Sequence, residues 1–388
     1  MDTTTIREAI PVTSNIIYMN TGWSGPSPTR VTRRIQELLE QEMTGGPATP
    51  ETTARNRAIH DELTSCVAGL LNAPPETIAP TQSTTHGLTI VVNGIDWRQD
   101  DELVTCSLEH PSVMLPSLLL QKSHGVKVRI AKLDPKDDRE TILSKIEGCI
   151  SQRTRLVFMS HIQFSSGLRL PAREIAQLAH RQGAYLLLDG AQGGGQIALD
   201  MEAMDCDFYS IPGQKWLLGP DGTGALYLRK ELISEISPRY PAHGAVEDWD
   251  RDTGEMTLNS ESPRKYRLST TSTPLEAGLI QAIAFHQEIG STAVEARTME
   301  LAASLRTVLA EVAGISLTGP DDPELSSGLV TFAVAGKEPR QVVDALWERG
   351  ISCRPVPNPE GIRLCTAFFN TEEEIQRVGQ ALGEMAGN

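Results

Sequence analysis

Between residues 102 and 228 short apolar runs alternate with segments of helical periodicity, and this alternation narrows the architecture more than any other feature of the chain. Strand-like runs fall at 102–105, 126–130, 156–160, 185–189, 208–210 and 224–228, while apolar residues at helical spacing fill 112–122, 139–150 and 172–182. Parallel neighbours need a crossover between them, and a helix is the usual one, so repeated units of this kind predict a mostly parallel sheet covered by helices. Residues 30–43 and 55–71 add two helices ahead of it, with 45–50 as the loop between them. After a polar segment at 242–263, a long helical pattern begins at 275. Strands near 328–334 and 361–365, with helices near 339–349 and 371–385, read as a smaller α+β unit.

A chain of 388 residues, 39% hydrophobic, has room for a large domain and a smaller one. Its net charge of −15 works against nucleic acid or an anionic membrane as the main partner, since both would repel it, and favours a small-molecule substrate. No apolar stretch approaches the ~18 residues of a membrane span, and residues 1–10 show no basic lead followed by an apolar run, so the cytoplasm is the expected location. Six cysteines lie scattered with no C-x-x-C pair, which predicts neither a metal site nor a disulfide framework.

Lys215 is flanked by Trp216, Leu217 and Leu218. Such company lowers an amine's pKa and supplies the neutral form that attacks an aldehyde; a snorkelling structural lysine is the alternative. About two dozen residues earlier, Asp189 ends the apolar run 185–189, where an unpaired carboxylate needs a cationic partner. Together they have the layout of a Schiff-base lysine beside the carboxylate that keeps a pyridine nitrogen protonated, the arrangement of a pyridoxal phosphate (PLP) enzyme. Ser83, Thr84 and Thr85 precede a helical run and suit either an N-cap or a phosphate site. Glu109-His110 follows a strand, where an imidazole can stack on a cofactor ring or merely cap a helix. Gln192 suits a cofactor oxygen or a cap. Arg354 and Arg363, near the carboxyl end, suit a substrate carboxylate or surface ion pairs.

On these residues the whole chain resembles the class V aminotransferases, PLP enzymes of fold type I, and within them the cysteine/cystine C–S lyases related to cysteine desulfurases. The resemblance runs through 20–26, 81–87, Glu109-His110, 189–192, 215–224, 269–274 and 362–374. It implies a large domain (16–255) with a mostly parallel seven-stranded sheet, and a small α+β domain (256–388) joined by an N-terminal arm (1–15). Lys215 would carry the cofactor, Asp189 would pair with its pyridine nitrogen, His110 would stack on its ring and Gln192 would approach its phenolic oxygen. Thr84 and Thr85 would hold the phosphate, with Thr270 and Thr271 reaching it from the other subunit of a homodimer that shares its active sites. Arg363 matches the carboxylate-binding arginine, Arg354 resembles a second arginine directed at the far end of the substrate, and Trp23 joins them as a substrate contact.

Two positions depart from that pattern. Gln214, kept among the cofactor contacts, stands where a histidine is usual, and Pro212 stands where Ser or Thr often meets the phosphate. Residues 326–340 also lack the nucleophilic cysteine of desulfurases, which disfavours persulfide transfer. The expected activity is β-elimination on cystine, a cysteine S-conjugate or a sulfoxide, giving pyruvate, ammonia and a sulfur product. Transamination, epimerisation, another biosynthetic elimination and non-catalytic PLP binding are the alternatives.

Overall fold

The structure, a computed structural model, describes residues 2–386. Seven strands form the large sheet: β1 (Ile78–Thr81), β2 (Glu102–Cys106), β3 (Lys127–Ala131), β4 (Thr154–Ser160), β5 (Tyr185–Asp189), β6 (Phe208–Pro212) and β7 (Gly224–Leu228). Their order is β1-β7-β6-β5-β4-β2-β3; β7 runs antiparallel to both its neighbours, and the run from β6 to β3 is parallel throughout. The expected mostly parallel sheet is therefore what the chain forms. Its interior strands are buried on both faces, which is why they read as continuous apolar runs rather than alternating ones. The edge strand β3 does alternate, with Lys127 and Arg129 outward, and a charged edge of this kind resists pairing with another chain.

The smaller unit is an antiparallel sheet ordered Ile315–Leu317, Leu329–Val334, Glu360–Cys365, Arg354–Pro357. Leu305, Phe332, Leu346, Ile362 and Leu382 centre its own core. The long helical pattern that begins at 275 is two helices, Thr273–Ile289 and Ser291–Ala310, parted at Gly290, whose φ of 91° lies outside the helical region.

The first of these packs on the helices Thr29–Gly45 and Pro50–Leu71 within the larger core. The second places Val294 in the larger core and Leu301, Leu305 and Leu309 in the smaller. A boundary at 255–256 assigns Thr273–Ile289 to the small unit, whereas its buried face belongs to the large one. Conversely, Ile17 and Met19 lie in the smaller core, and Ile17–Tyr18 pairs with Ile351–Ser352. Hydrogen bonds stitch the two units together: Ser327 Oγ donates to Gly167 O (2.7 Å), and Asn358 Nδ2 donates to Ser107 O (2.9 Å).

Candidate active site

The carboxyl ends of β2, β4, β5 and β6 open toward the smaller unit, the end of a parallel sheet where ligands bind. A cavity of about 250 Å³ lies there, lined by Trp23, Thr84, Thr85, His110, Asp189, Gln192, Gln214, Lys215, Arg354 and Arg363. Residues spread over more than 300 positions of sequence are thus brought to one place, as their chemistry suggested.

Beyond β6 the chain turns tightly to present Lys215. Leu218 N donates to Lys215 O (3.0 Å), Gly219 N donates to Gly213 O (2.8 Å), and Leu218 adopts a φ of 60°, a left-handed conformation unusual for a branched side chain. The segment at 20–25 braces this turn: Gly25 N donates to Gln214 O (2.6 Å), and a Cβ at Gly25 would stand 2.1 Å from Lys215 O. Beneath the lysine, Trp216, Leu217 and Leu218 are buried, and Trp216 Nε1 donates to Gln192 Oε1 (2.8 Å). Burial draws the Lys215 pKa down to about 8; Asp189 pulls it back upward, while Arg363 and Arg354 reinforce the lowering. Burial pushes the Asp189 carboxyl up, opposed by Lys215 and by Ala191 N, which donates to Oδ1 (2.8 Å).

His110 is both a cap and a wall of the cavity. It is the N-cap of the helix Pro111–His124, and its Nδ1 accepts from Ser112 N (3.1 Å), which leaves the ring proton of the neutral form on Nε2. Burial, then Lys215, Arg354 and Arg363, lower its pKa to about 4, so it is uncharged at neutral pH. Its ring meets Phe164 edge to face at 4.9 Å. Ser83 caps the helix Thr84–Gly94 by accepting from His86 N (3.1 Å), and Thr85 Oγ1 bonds Ser112 Oγ (3.0 Å), but the buried Thr84 Oγ1 has no partner. Gln214 Oε1 is likewise buried and unpartnered, whereas Gln192 commits Nε2 to Gly22 O (2.8 Å).

Arg363 is 1% exposed, and its one hydrogen bond runs from Nη1 to Phe164 O (2.6 Å); Nε and Nη2 have no partner. Arg354, its register partner on the adjacent strand, lies with Cζ 4.0 Å over the Trp23 ring. Like charges directly opposite on a strand pair repel. Neither arginine has a carboxylate partner among the described residues. The cavity therefore gathers three cationic side chains against the carboxylate of Asp189, and its unpartnered donors suit anions.

Thr270 and Thr271 are not brought to this cavity within one chain. Thr270 is exposed, and Thr271 lines a neighbouring hollow of about 460 Å³ that shares Ser83. Sequence reasoning gave no role to Phe164 or Ser112, because a loop phenylalanine and a serine in the first turn of a helix are ordinary residues that carry no motif signal. Cys353 and Cys365 are buried free thiols. Among the described residues, no group of metal-binding side chains occurs, and no helix is long and apolar enough to cross a membrane.

Comparison with known proteins agrees with this geometry. The family described as aminotransferase class-V matches residues 17–378. A probable cysteine desulfurase of Methanothermobacter thermautotrophicus is 30% identical over an alignment of 404 positions, covering 100% of this chain and 99% of the relative. An isopenicillin N epimerase of Streptomyces clavuligerus is 29% identical, covering 96% of this chain and 95% of that one. Among solved structures, the cystine C–S lyase C-DES in complex with its reaction product cysteine persulfide superposes with a TM-score of 0.90 at 27% identity, covering 97% of this chain and 99% of that chain. A mutant of C-DES with glycine covalently linked to the PLP cofactor gives a TM-score of 0.91 at the same identity and coverage.

Proposed function

The chain belongs to the aminotransferase class-V family, whose members depend on PLP, and from that premise we propose that it is a PLP-dependent carbon–sulfur lyase that splits a cysteine derivative by β-elimination. The residues present fit the cofactor. The unpartnered Thr84 hydroxyl at a helix start suits the phosphate, Asp189 suits the ring nitrogen, and Lys215 suits the aldehyde. Gln192, Gln214 and, from a second subunit, Thr270 and Thr271 complete the set. When bound, PLP supplies an electrophilic carbon for the amine and a sink for the charge that develops at the substrate Cα.

The chain's own residues do the rest. Lys215, with a pKa near 8, is in part a free amine at neutral pH, able first to bind and then to take the α-proton on Nζ. His110 offers a neutral ring with its proton on Nε2, fixed by the bond that Nδ1 accepts from Ser112 N. Arg363 turns two unpartnered donors toward the substrate carboxylate, which orients the Cα–H bond toward the lysine. Loss of the α-proton and departure of sulfur from Cβ leave a fragment that water converts to pyruvate and ammonia.

The observation that carries this reading is the pair Arg354 and Arg363, register partners without a carboxylate of their own, beside the lysine. Two fixed cations suit a substrate with a second anionic end, such as cystine. A sulfur group that already leaves well needs no enzymic nucleophile, in keeping with a 326–340 segment that has no cysteine. The likeness to isopenicillin N epimerase favours epimerisation as the second reading. Purified, PLP-loaded protein should release pyruvate from L-cystine, and Lys215→Ala should abolish the release. Lysine-dependent exchange of the α-proton without pyruvate would overturn the lyase reading in favour of the epimerase.

A further inference from the structure

Glu109, the residue before His110, places its carboxylate where the loops after β2 and β4 meet. Oε1 accepts from Ser160 N (3.0 Å), Gln163 Nε2 (3.0 Å) and Cys106 Sγ (3.2 Å), while Oε2 accepts from Ser160 N (3.1 Å) and Ser160 Oγ (2.5 Å). All of these partners are donors, which is the environment of an ionised carboxylate satisfied by neutral dipoles. Burial raises its pKa, and the bonds from Ser160, Gln163 and Cys106 oppose the rise.

The connections lead to the cavity. Ser160 ends β4 and is the register partner of Asp189 on β5. Gln163 precedes Phe164, whose ring meets His110 and whose carbonyl accepts from Arg363. Glu109 thus holds both sides of the His110–Phe164 contact, one through the chain itself and the other through Gln163.

We propose that Glu109 is a positioning residue for His110: by tying the loop after β2 to the loop after β4, it fixes where the imidazole meets bound cofactor and substrate. The proposal rests on His110 acting at that site. A glutamine at 109 keeps the shape but turns one edge of the group into a donor, which in one orientation faces Ser160 N and in the other faces Gln163 Nε2, donor against donor. The two loops then part, and the ring loses its fixed place.

The test uses PLP-loaded Glu109→Gln, His110→Ala and the double variant. It reads kcat, the visible circular dichroism of the bound cofactor and the unfolding midpoint. Glu109→Gln should lower kcat by roughly 10- to 100-fold, the scale of an ångström-sized misplacement, and should change the visible dichroism. In the His110→Ala background it should cost nothing more, because a residue that acts only through another has no effect once that other is gone. Should Glu109→Gln fold poorly, Ser160→Ala removes a single donor and should give the same pattern at smaller size. Wild-type kcat and dichroism in Glu109→Gln, or an equal loss in both backgrounds, would overturn the proposal. Wild-type kcat in His110→Ala would instead remove His110 from the functional reading, and the proposal with it.

Discussion

Thr84 carries a buried hydroxyl with no partner at the start of a helix, a cost of about 1–3 kcal/mol that the protein alone does not recover. Thr84→Val should therefore raise the stability of the cofactor-free protein while weakening PLP binding about tenfold or more, the worth of a hydrogen bond to a charged group. Thermal unfolding without PLP and a PLP titration would report the two opposite signs. Lys215 supplies a second prediction at this scale. Its pKa lies below that of an ordinary lysine, so the free amine grows as pH rises through about 8. PLP capture by the cofactor-free protein, followed by absorbance, should accelerate over that interval and level off above it. A rate that instead climbed steadily to pH 10 would show an ordinary solvated lysine.

At the scale of elements, the lysine turn and the segment at 20–25 behave as one unit, since Gly25 leaves no room for a side chain against Lys215 O. Gly25→Ala should displace the turn, lower the unfolding midpoint and abolish lysine-bound PLP absorbance, whereas Gly45→Ala, where a Cβ meets nothing, should do none of these. The elements were legible where physics writes them locally. Buried parallel strands gave unbroken apolar runs, and β5 and β7 fall on the bounds read from the sequence. The edge strand β1 escaped because it is four residues long and contains Pro80, whose missing N–H counts against a strand in sequence but is tolerated at an edge. Gly290 was invisible as a break because a lone glycine inside a helical period does not reveal its φ. Lys215 and Asp189 could be chosen from the sequence because their apolar neighbours make an unmatched charge costly there, and Arg363 through the family resemblance; the contacts of Phe164 and Glu109 exist only once the strand ends are side by side.

Over the whole molecule, the two ends of the large sheet are treated differently. At the end away from the cavity, Asp207 accepts hydrogen bonds from His180 Nε2 (2.8 Å) and Leu186 N (2.7 Å) and forms an ion pair with Arg229, whose Nε lies 2.9 Å away. The hydrogen bond to Asp207 raises the His180 pKa against the pull of burial. A histidine whose folded pKa is raised adds stability that is fully present below the unfolded value of about 6.5 and fades as pH climbs through the folded one. His180→Asn should therefore lose more stability, measured by urea unfolding, at pH 6 than at pH 9. At the cavity end the charges are left unmatched, and the two arginines come from a sheet separate from the one that carries the lysine. Arg354 and Arg363 share a pair of hydrogen-bonded strands, so their spacing is set by register and does not change however the two units shift against each other. The small sheet is thus a gauge of fixed length: for a substrate of the proposed kind, it would measure how far apart the two anionic ends lie, before the lysine acts on the α-carbon.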